Sequence, residues 1–155
     1  MIGSSIEVIR SRGYKATRPR KLVLEVLETE SRPVSPYEIQ SILRMGGRYL
    51  NHVTIYRTLD LLCSLNLAHR VLSSGKYVRC SLPSSEACHR FMVCQNCGVI
   101  REFADMHLCH EENEFARGFG FHTEHHLSEF CGLCSSCYRS NTSTYQGGKS
   151  KWVSE

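Results

Sequence analysis

The sequence predicts an α+β protein in two parts: an N-terminal winged helix-turn-helix, then a smaller α/β unit knotted around four cysteines. Three observations predict it. Apolar residues recur at helical spacing up to Leu65, broken by capping and stop signals. Two short valine-containing runs then flank the turn signal Ser73-Ser74-Gly75. Finally, Cys94-Gln95-Asn96-Cys97-Gly98 and Cys134-Ser135-Ser136-Cys137 form two Cys-x-x-Cys pairs.

Ile6, Val8 and Ile9 predict a short first helix ending near Gly13. Thr17 can cap a second, with Pro19 tolerated in its first turn and Leu22, Val23, Val26 and Leu27 on one face. Arg18, Arg20 and Lys21 cluster at its start, where cations oppose the helix dipole; phosphate would compensate them, as would solvent. Ser35-Pro36-Tyr37-Glu38 is a capping box opening a third helix through Ile39, Ile42 and Leu43, which stops at Gly46-Gly47. Asn51 can cap a fourth, from His52 to about Leu65. Ile55, Leu59 and Leu62 share its inner face; Val53, Arg57 and Asp60 lie opposite, with Tyr56 on the flank. Such an exposed Tyr-Arg pair suits a recognition helix, with Arg57 reaching guanine or phosphate and Tyr56 a base edge; a half-buried packing role suits Tyr56 equally.

Ala68 to Leu72 and Lys76 to Cys80 read as the strands of a wing. With Ser74-Gly75 as a two-residue turn, His69 falls directly opposite Cys80, half of a metal site, although a surface histidine beside a small buried thiol would look the same. Further on, Phe91, Val93, Val99 and Phe103 predict strands on either side of the first Cys turn. Leu108 to Arg117 reads as a helix ended by Gly118, and Gly120 to Phe130 as a strand leading to the second Cys pair. The exposed edge of such a sheet invites pairing with a second copy. Four thiolates are the set a tetrahedral structural zinc needs, with two disulfides or buried thiols as the competing readings.

Composition narrows the function. The 155 residues carry a net charge of +4. Residues 1–83 hold thirteen Lys/Arg against six Asp/Glu, and residues 84–155 hold six against nine. A basic front half suggests a polyanion partner, nucleic acid first. Seven of nine cysteines and six of eight histidines fall in the acidic back half. No apolar run is long enough for a bilayer, and Met1-Ile2-Gly3-Ser4-Ser5 is not a secretory start, so a reducing cytoplasm is expected, where such cysteines favour metal over disulfides.

Thr17-Arg18-Pro19-Arg20, Val53-Thr54-Ile55-Tyr56-Arg57-Thr58-Leu59 and both Cys pairs together resemble the ferric-uptake-regulator family of bacterial metal-sensing repressors, over about residues 5–138. The resemblance implies a winged-helix domain, taken as residues 1–83, and a dimerisation and metal-binding domain, taken as 89–139; Pro83-Ser84-Ser85-Glu86 reads as a hinge, taken as 84–88, and residues 140–155, rich in Ser, Gly, Thr and Lys, read as a flexible tail. It also implies a homodimer on palindromic double-stranded operator DNA, with contacts from Arg18, Arg20, Thr54, Tyr56 and Arg57. Within the family the chain looks most like the zinc uptake regulator branch. That branch's sensing site falls on His69, Cys80, His89 and Glu102, beside a structural zinc on Cys94, Cys97, Cys134 and Cys137, about two ions per chain. Iron and peroxide sensors of the family usually carry a His-rich run where this chain has Cys88-His89-Arg90-Phe91, a departure that argues against iron sensing and against peroxide sensing by His oxidation; another metal- or redox-responsive regulator of the family (iron, nickel or peroxide) stays the alternative. A third metal site of some members would use His126, but Arg90 cannot serve as its other ligand; His107, Cys109, His110, His122, His125 and Cys131 are the available substitutes, or simply surface polar groups.

Enzyme readings lack their parts. A zinc hydrolase needs an open coordination position and a base, and both ligand sets already count four. No Gly-rich phosphate loop or Ser nucleophile motif occurs, so no small-molecule substrate is expected. A redox-switched regulator, with Cys80 and Cys88 closing a disulfide that empties the sensing site, is the third reading.

Overall fold

The computed structural model describes residues 2–82, 88–123 and 127–141. Most of the expected hinge, almost all of the expected tail, and His125 and His126 lie outside them. Four helices come first: α1 (Ile2–Ser11), α2 (Arg18–Thr29), α3 (Pro36–Met45) and α4 (His52–Ser64). Strands β1 (Ala68–Arg70) and β2 (Tyr77–Arg79) form the wing. The second part holds β3 (His89–Cys94), β4 (Ile100–Ala104), α5 (Met106–Gly118), β5 (Ser128–Gly132) and α6 (Ser135–Asn141). Among the described residues no helix is long and apolar enough to cross a membrane.

The helix ends follow side-chain chemistry. Ser35 Oγ accepts from the Glu38 N–H and Glu38 returns the bond to the Ser35 N–H, completing the capping box. Asn51 Oδ1 accepts from the Thr54 N–H at 2.8 Å. Thr17 occupies the cap position of α2 but makes no side-chain cap bond. Pro19 at the second helical position removes one of the two N–H groups such a cap would serve.

Glu38 ties α3 to the wing as well. Lys76 Nζ lies 2.9 Å from its Oε1, and this bond, followed by those from Ser35, holds its carboxyl at about 2. A carboxyl depressed in the folded state adds stability that is complete above its ordinary value of 4.5 and lost as pH falls towards about 2. Both partners are well exposed, so Glu38→Gln should cost about 1 kcal/mol or less at pH 7. Urea titrations of protein and variant should converge as pH drops from 4.5 towards 2; a gap undiminished at pH 2 would place the effect elsewhere.

One apolar core, built from α1 to α4 and the wing, holds Ile9, Val23, Leu24, Ile39, Leu43, Ile55, Leu59 and Leu62, all fully buried. Each such side chain contributes roughly 1.5–3 kcal/mol. The inner face read on α4 is thus the buried one, and Val53, Tyr56 and Arg57 are exposed. Cys63 packs against this core, and burial pushes its thiol up to about 11.

The wing departs from expectation in register. His69 pairs with Val78, not Cys80, and Ala68 with Arg79. The connection is a four-residue loop closed by Gly75 at φ +66°, whose N–H bonds the Val71 carbonyl at 2.8 Å. The slip is two residues, so side-chain parity is kept. Cys80, whose N–H bonds the Leu67 carbonyl, therefore stays on the His69 face as a diagonal neighbour.

In the second part β3 is central, antiparallel to β4 and parallel to β5. Helix α5 starts at Met106, earlier than expected, because Asp105 Oδ1 accepts from the N–H groups of His107 and Leu108. The strand expected over Gly120 to Phe130 instead spans Ser128–Gly132. Helix α5 has no buried residue, and Phe115, Phe119 and Phe121 are all exposed.

Candidate metal centres and nucleic-acid interface

The two Cys pairs meet at one end of the sheet. Cys94 ends β3, and Gly98, at φ +74°, returns the chain so that its N–H bonds the Cys94 carbonyl at 2.9 Å. Gln95 N–H bonds the Gly132 carbonyl, binding this turn to the end of β5. Cys134 precedes α6 and Cys137 lies in its first turn. One sulfur from each of Cys94, Cys97, Cys134 and Cys137 lies within 4.8 Å of the others. The N–H groups of Cys97 and Cys134 draw the Cys94 thiol down to about 6. Asn96 acts to lower Cys137, but the sulfurs of Cys134 and Cys97 push it up to about 12. Four crowded sulfurs of opposed proton affinity fit one thiophilic cation that takes all four as thiolates.

A second cluster lies where the wing meets the other sheet. His69 comes from β1, Cys80 follows β2, His89 opens β3 and Glu102 sits mid-β4; one donor atom of each lies within 4.8 Å of the rest. His89 Nδ1 is 2.5 Å and His69 Nε2 3.1 Å from Glu102 Oε1. Cys80 Sγ lies 3.7 Å from His89 Nδ1 and 3.6 Å from Glu102 Oε1. The imidazoles stack at 4.6 Å between centroids, and Phe91 closes the His69 side at 5.3 Å. Burial alone would raise the Glu102 carboxyl, but His69, Ser81 and His89 outweigh it and hold it well below the usual range. Burial, then the Glu102 charge, pushes the Cys80 thiol up to about 12. The buried His69 Nε2 faces Glu102 Oε1 at 3.1 Å, off the line of a good hydrogen bond. A buried pocket that gathers a carboxylate, a thiol and two imidazoles fits a divalent cation: it would answer the carboxylate's charge, take the thiol as thiolate and bond an imidazole nitrogen from each ring.

Sequence reasoning missed two residues beside this cluster. Ser81 donates to Glu102 Oε2 from its N–H (2.5 Å) and its hydroxyl (2.6 Å), fixing the carboxylate. Glu129 of β5 accepts from the N–H groups of Leu72 and Ser73, clasping the wing loop to the sheet. Neither sits in a pattern that sequence spacing exposes. The proposed substitutes for a third metal site do not converge among the described residues, where only the two four-residue groups meet. His107 pairs with Glu111 on its own helix at 3.6 Å, and Cys131 is exposed on β5. Cys88 meets Cys109, sulfur to sulfur at 2.9 Å, a contact that sequence spacing did not suggest. Arg90 is fully buried, its Nη2 2.6 Å from Glu112 Oε2.

On the outer face of α4, Tyr56 and Arg57 stand exposed, with Thr54 half-buried beside them. Arg18 is exposed at the start of α2. Arg20 is engaged: its guanidinium bonds the Lys15 carbonyl at 2.5 Å and lies over the Tyr14 ring at 5.6 Å.

The profile of the Ferric uptake regulator family matches residues 11–131. The zinc uptake regulation protein of Mycobacterium tuberculosis is 33% identical over 128 residues, covering 81% of this chain and 95% of its own. That of Escherichia coli (strain K12) is 26% identical over 138 residues, covering 88% and 81%. A zinc uptake regulator complexed with zinc and DNA superposes with a TM-score of 0.83 at 25% identity, over 90% of this chain and 94% of that one. Holo XcZur superposes at 0.80 (26% identity; 89% and 96% covered), but apo XcZur at only 0.50 (26%; 88% and 95%). With its helix-turn-helix, its wing and its first cysteine pair inside the matched span, this chain belongs to the ferric uptake regulator family.

Proposed function

We propose that this chain is a zinc-responsive transcriptional repressor that, zinc-loaded, binds palindromic operator DNA as a homodimer and controls zinc uptake and homeostasis genes. The observation that carries the reading is the second ligand cluster, which draws His69 and Cys80 from the wing and His89 and Glu102 from the sheet onto one point. One sulfur, two nitrogens and one oxygen suit zinc better than iron, which prefers harder sets. The higher TM-score to holo than to apo XcZur, at equal identity, supports the same reading.

Zinc here supplies a positive charge that joins four ligands, and the protein does the rest. Residues 1–83 form the DNA-reading domain and 89–139 the dimerisation domain, with 84–88 as hinge and 140–155 as tail. Holding the wing against β3 and β4 fixes the orientation of α4. In a dimer, two such helices would stand one turn of DNA, or a multiple, apart. Zinc and operator must then tighten each other's binding by the same factor. The Cys94/Cys97/Cys134/Cys137 set would hold a structural ion, a second per chain.

The test uses duplexes selected from a random pool by the zinc-loaded protein. Mild chelation of the looser zinc should weaken binding on the order of a hundredfold; unchanged affinity would refute the sensor role. Arg57→Ala should cost about 1–3 kcal/mol on the selected duplex and relax its sequence preference, as a base-edge contact requires. If it only flattens the salt dependence, Arg57 reads phosphate instead. Glu129→Ala removes the clasp on the wing loop and should weaken operator binding about three- to tenfold, with zinc stoichiometry unchanged.

A further inference from the structure

We propose that Cys88 and Cys109 form a dithiol that a small-molecule disulfide oxidises, closing a disulfide that locks His89 into its place in the second ligand cluster. The link to zinc rests on the function proposed above; the disulfide itself does not.

The two sulfurs lie 2.9 Å apart, and both residues are half-buried, within reach of a small oxidant. Neither belongs to a four-ligand cluster. Their approach is imposed by neighbours. Arg90, two residues beyond Cys88, is fully buried and bonds Glu112, three residues beyond Cys109, at 2.6 Å. Its Nη1 also donates to the carbonyls of Cys88 (3.3 Å) and Asp105 (3.4 Å), the latter residue capping α5. A buried guanidinium thus pins the start of β3 to the first turns of α5, and the thiols sit beside that pin. Closing to a bond length of about 2.05 Å moves the sulfurs by less than an ångström, so the disulfide forms within this arrangement.

The chemistry balances in two exchanges. One cysteine, as thiolate, attacks a sulfur of the small disulfide, forms a mixed disulfide and expels one small thiolate, which takes up the proton. The other then attacks the protein sulfur of the mixed disulfide and expels the second. Two electrons and two protons pass to the oxidant, which leaves as two thiols. The second step is intramolecular between groups already in contact, which favours the protein disulfide over the mixed one. Cys63 is a poor competitor, its thiol pushed up by burial. Cys131, exposed on β5, serves as an internal comparison. Because His89 directly follows Cys88, the bridge restrains the backbone that carries this imidazole.

The experiment treats the zinc-loaded chain with glutathione disulfide, then maps peptides by mass spectrometry without reduction. A Cys88–Cys109 linked peptide, two hydrogens lighter than its parts, is expected. In Cys109→Ser the reaction should stop at a glutathione adduct on Cys88. Release of the looser zinc to a competing chelator should slow at least about threefold in the oxidised protein, and not in the treated variant, as removal of local freedom predicts. Adducts on Cys131 without the linked peptide, or Cys88 linked to Cys80, would overturn the pairing. A linked peptide with unchanged zinc release would overturn the hold on His89. If the reduced protein never binds the looser zinc, the sensor reading fails while the peptide map still decides the dithiol.

Discussion

Cys137→Ser should unfold the second half of the chain and leave the first half standing. The reason is the distribution of buried apolar surface. Every member of the main core lies between Ile9 and Tyr77. Among the described residues from Cys88 onward, only Phe91 and Cys94 are buried apolar side chains. One phenylalanine supplies roughly 1.5–3 kcal/mol, whereas ordering each residue costs about 1–2 kcal/mol in backbone entropy. The β4-β3-β5 sheet and its two helices therefore need another source of free energy. A structural zinc on four thiolates supplies about 10–16 kcal/mol in small domains at neutral pH, more than any contact seen in this half. Loss of one thiolate should raise amide hydrogen exchange across residues 89–138 on the order of a thousandfold or more, while α2 to α4 stay within a few-fold. Cys137→His, which offers a nitrogen ligand, should recover part of the protection. If protection in Cys137→Ser matches the parent protein, the cysteines do not hold this half together, and dimer contacts over exposed residues such as Phe115 and Phe119 must do so.

The parts of the architecture legible in the sequence were those governed by local rules. The capping box at Ser35, the inner face of α4 and the two Cys turns each depend on residues a few positions apart, so spacing alone exposes them. The wing was legible in kind but not in register, because a turn of two residues and a loop of four leave the same alternation of side chains. That shared parity is why Cys80 still meets His69 although it does not oppose it. The meeting of His89 and Glu102 with that pair came from the family likeness, since no local rule brings β4 to the wing. Glu129, the Arg90–Glu112 pair and the Cys88–Cys109 contact were illegible for the same reason. Each joins residues more than fifteen positions apart whose types alone announce nothing.

His89→Ala should weaken operator binding on the order of a hundredfold while leaving the fold of both halves intact. His89 meets every other member of the cluster: it lies 2.5 Å from the Glu102 oxygen and 3.7 Å from the Cys80 sulfur, and its ring centroid is 4.6 Å from that of His69. Without it, three donors remain, and the expected zinc content falls by one ion per chain at chelator concentrations that spare the four-cysteine site. The wing would then be held to the sheet by the Glu129 bonds to its loop and the Ser81 bonds to Glu102, each contributing about 1.5–3 kcal/mol at most and less where solvent reaches it. Those bonds do not depend on zinc, so zinc would no longer favour one arrangement over another. A coupling of about 2.7 kcal/mol between zinc and operator corresponds to a hundredfold change in affinity, near the upper end of the usual range. Binding to unselected duplex should change little, since the Lys and Arg that meet phosphate are untouched. Hydrogen exchange over α2 to α4 and over the β4-β3-β5 sheet should match the parent protein, which separates loss of arrangement from loss of fold. Full operator affinity in His89→Ala, with the looser zinc demonstrably gone, would mean that the ion joining wing and sheet does not govern DNA binding.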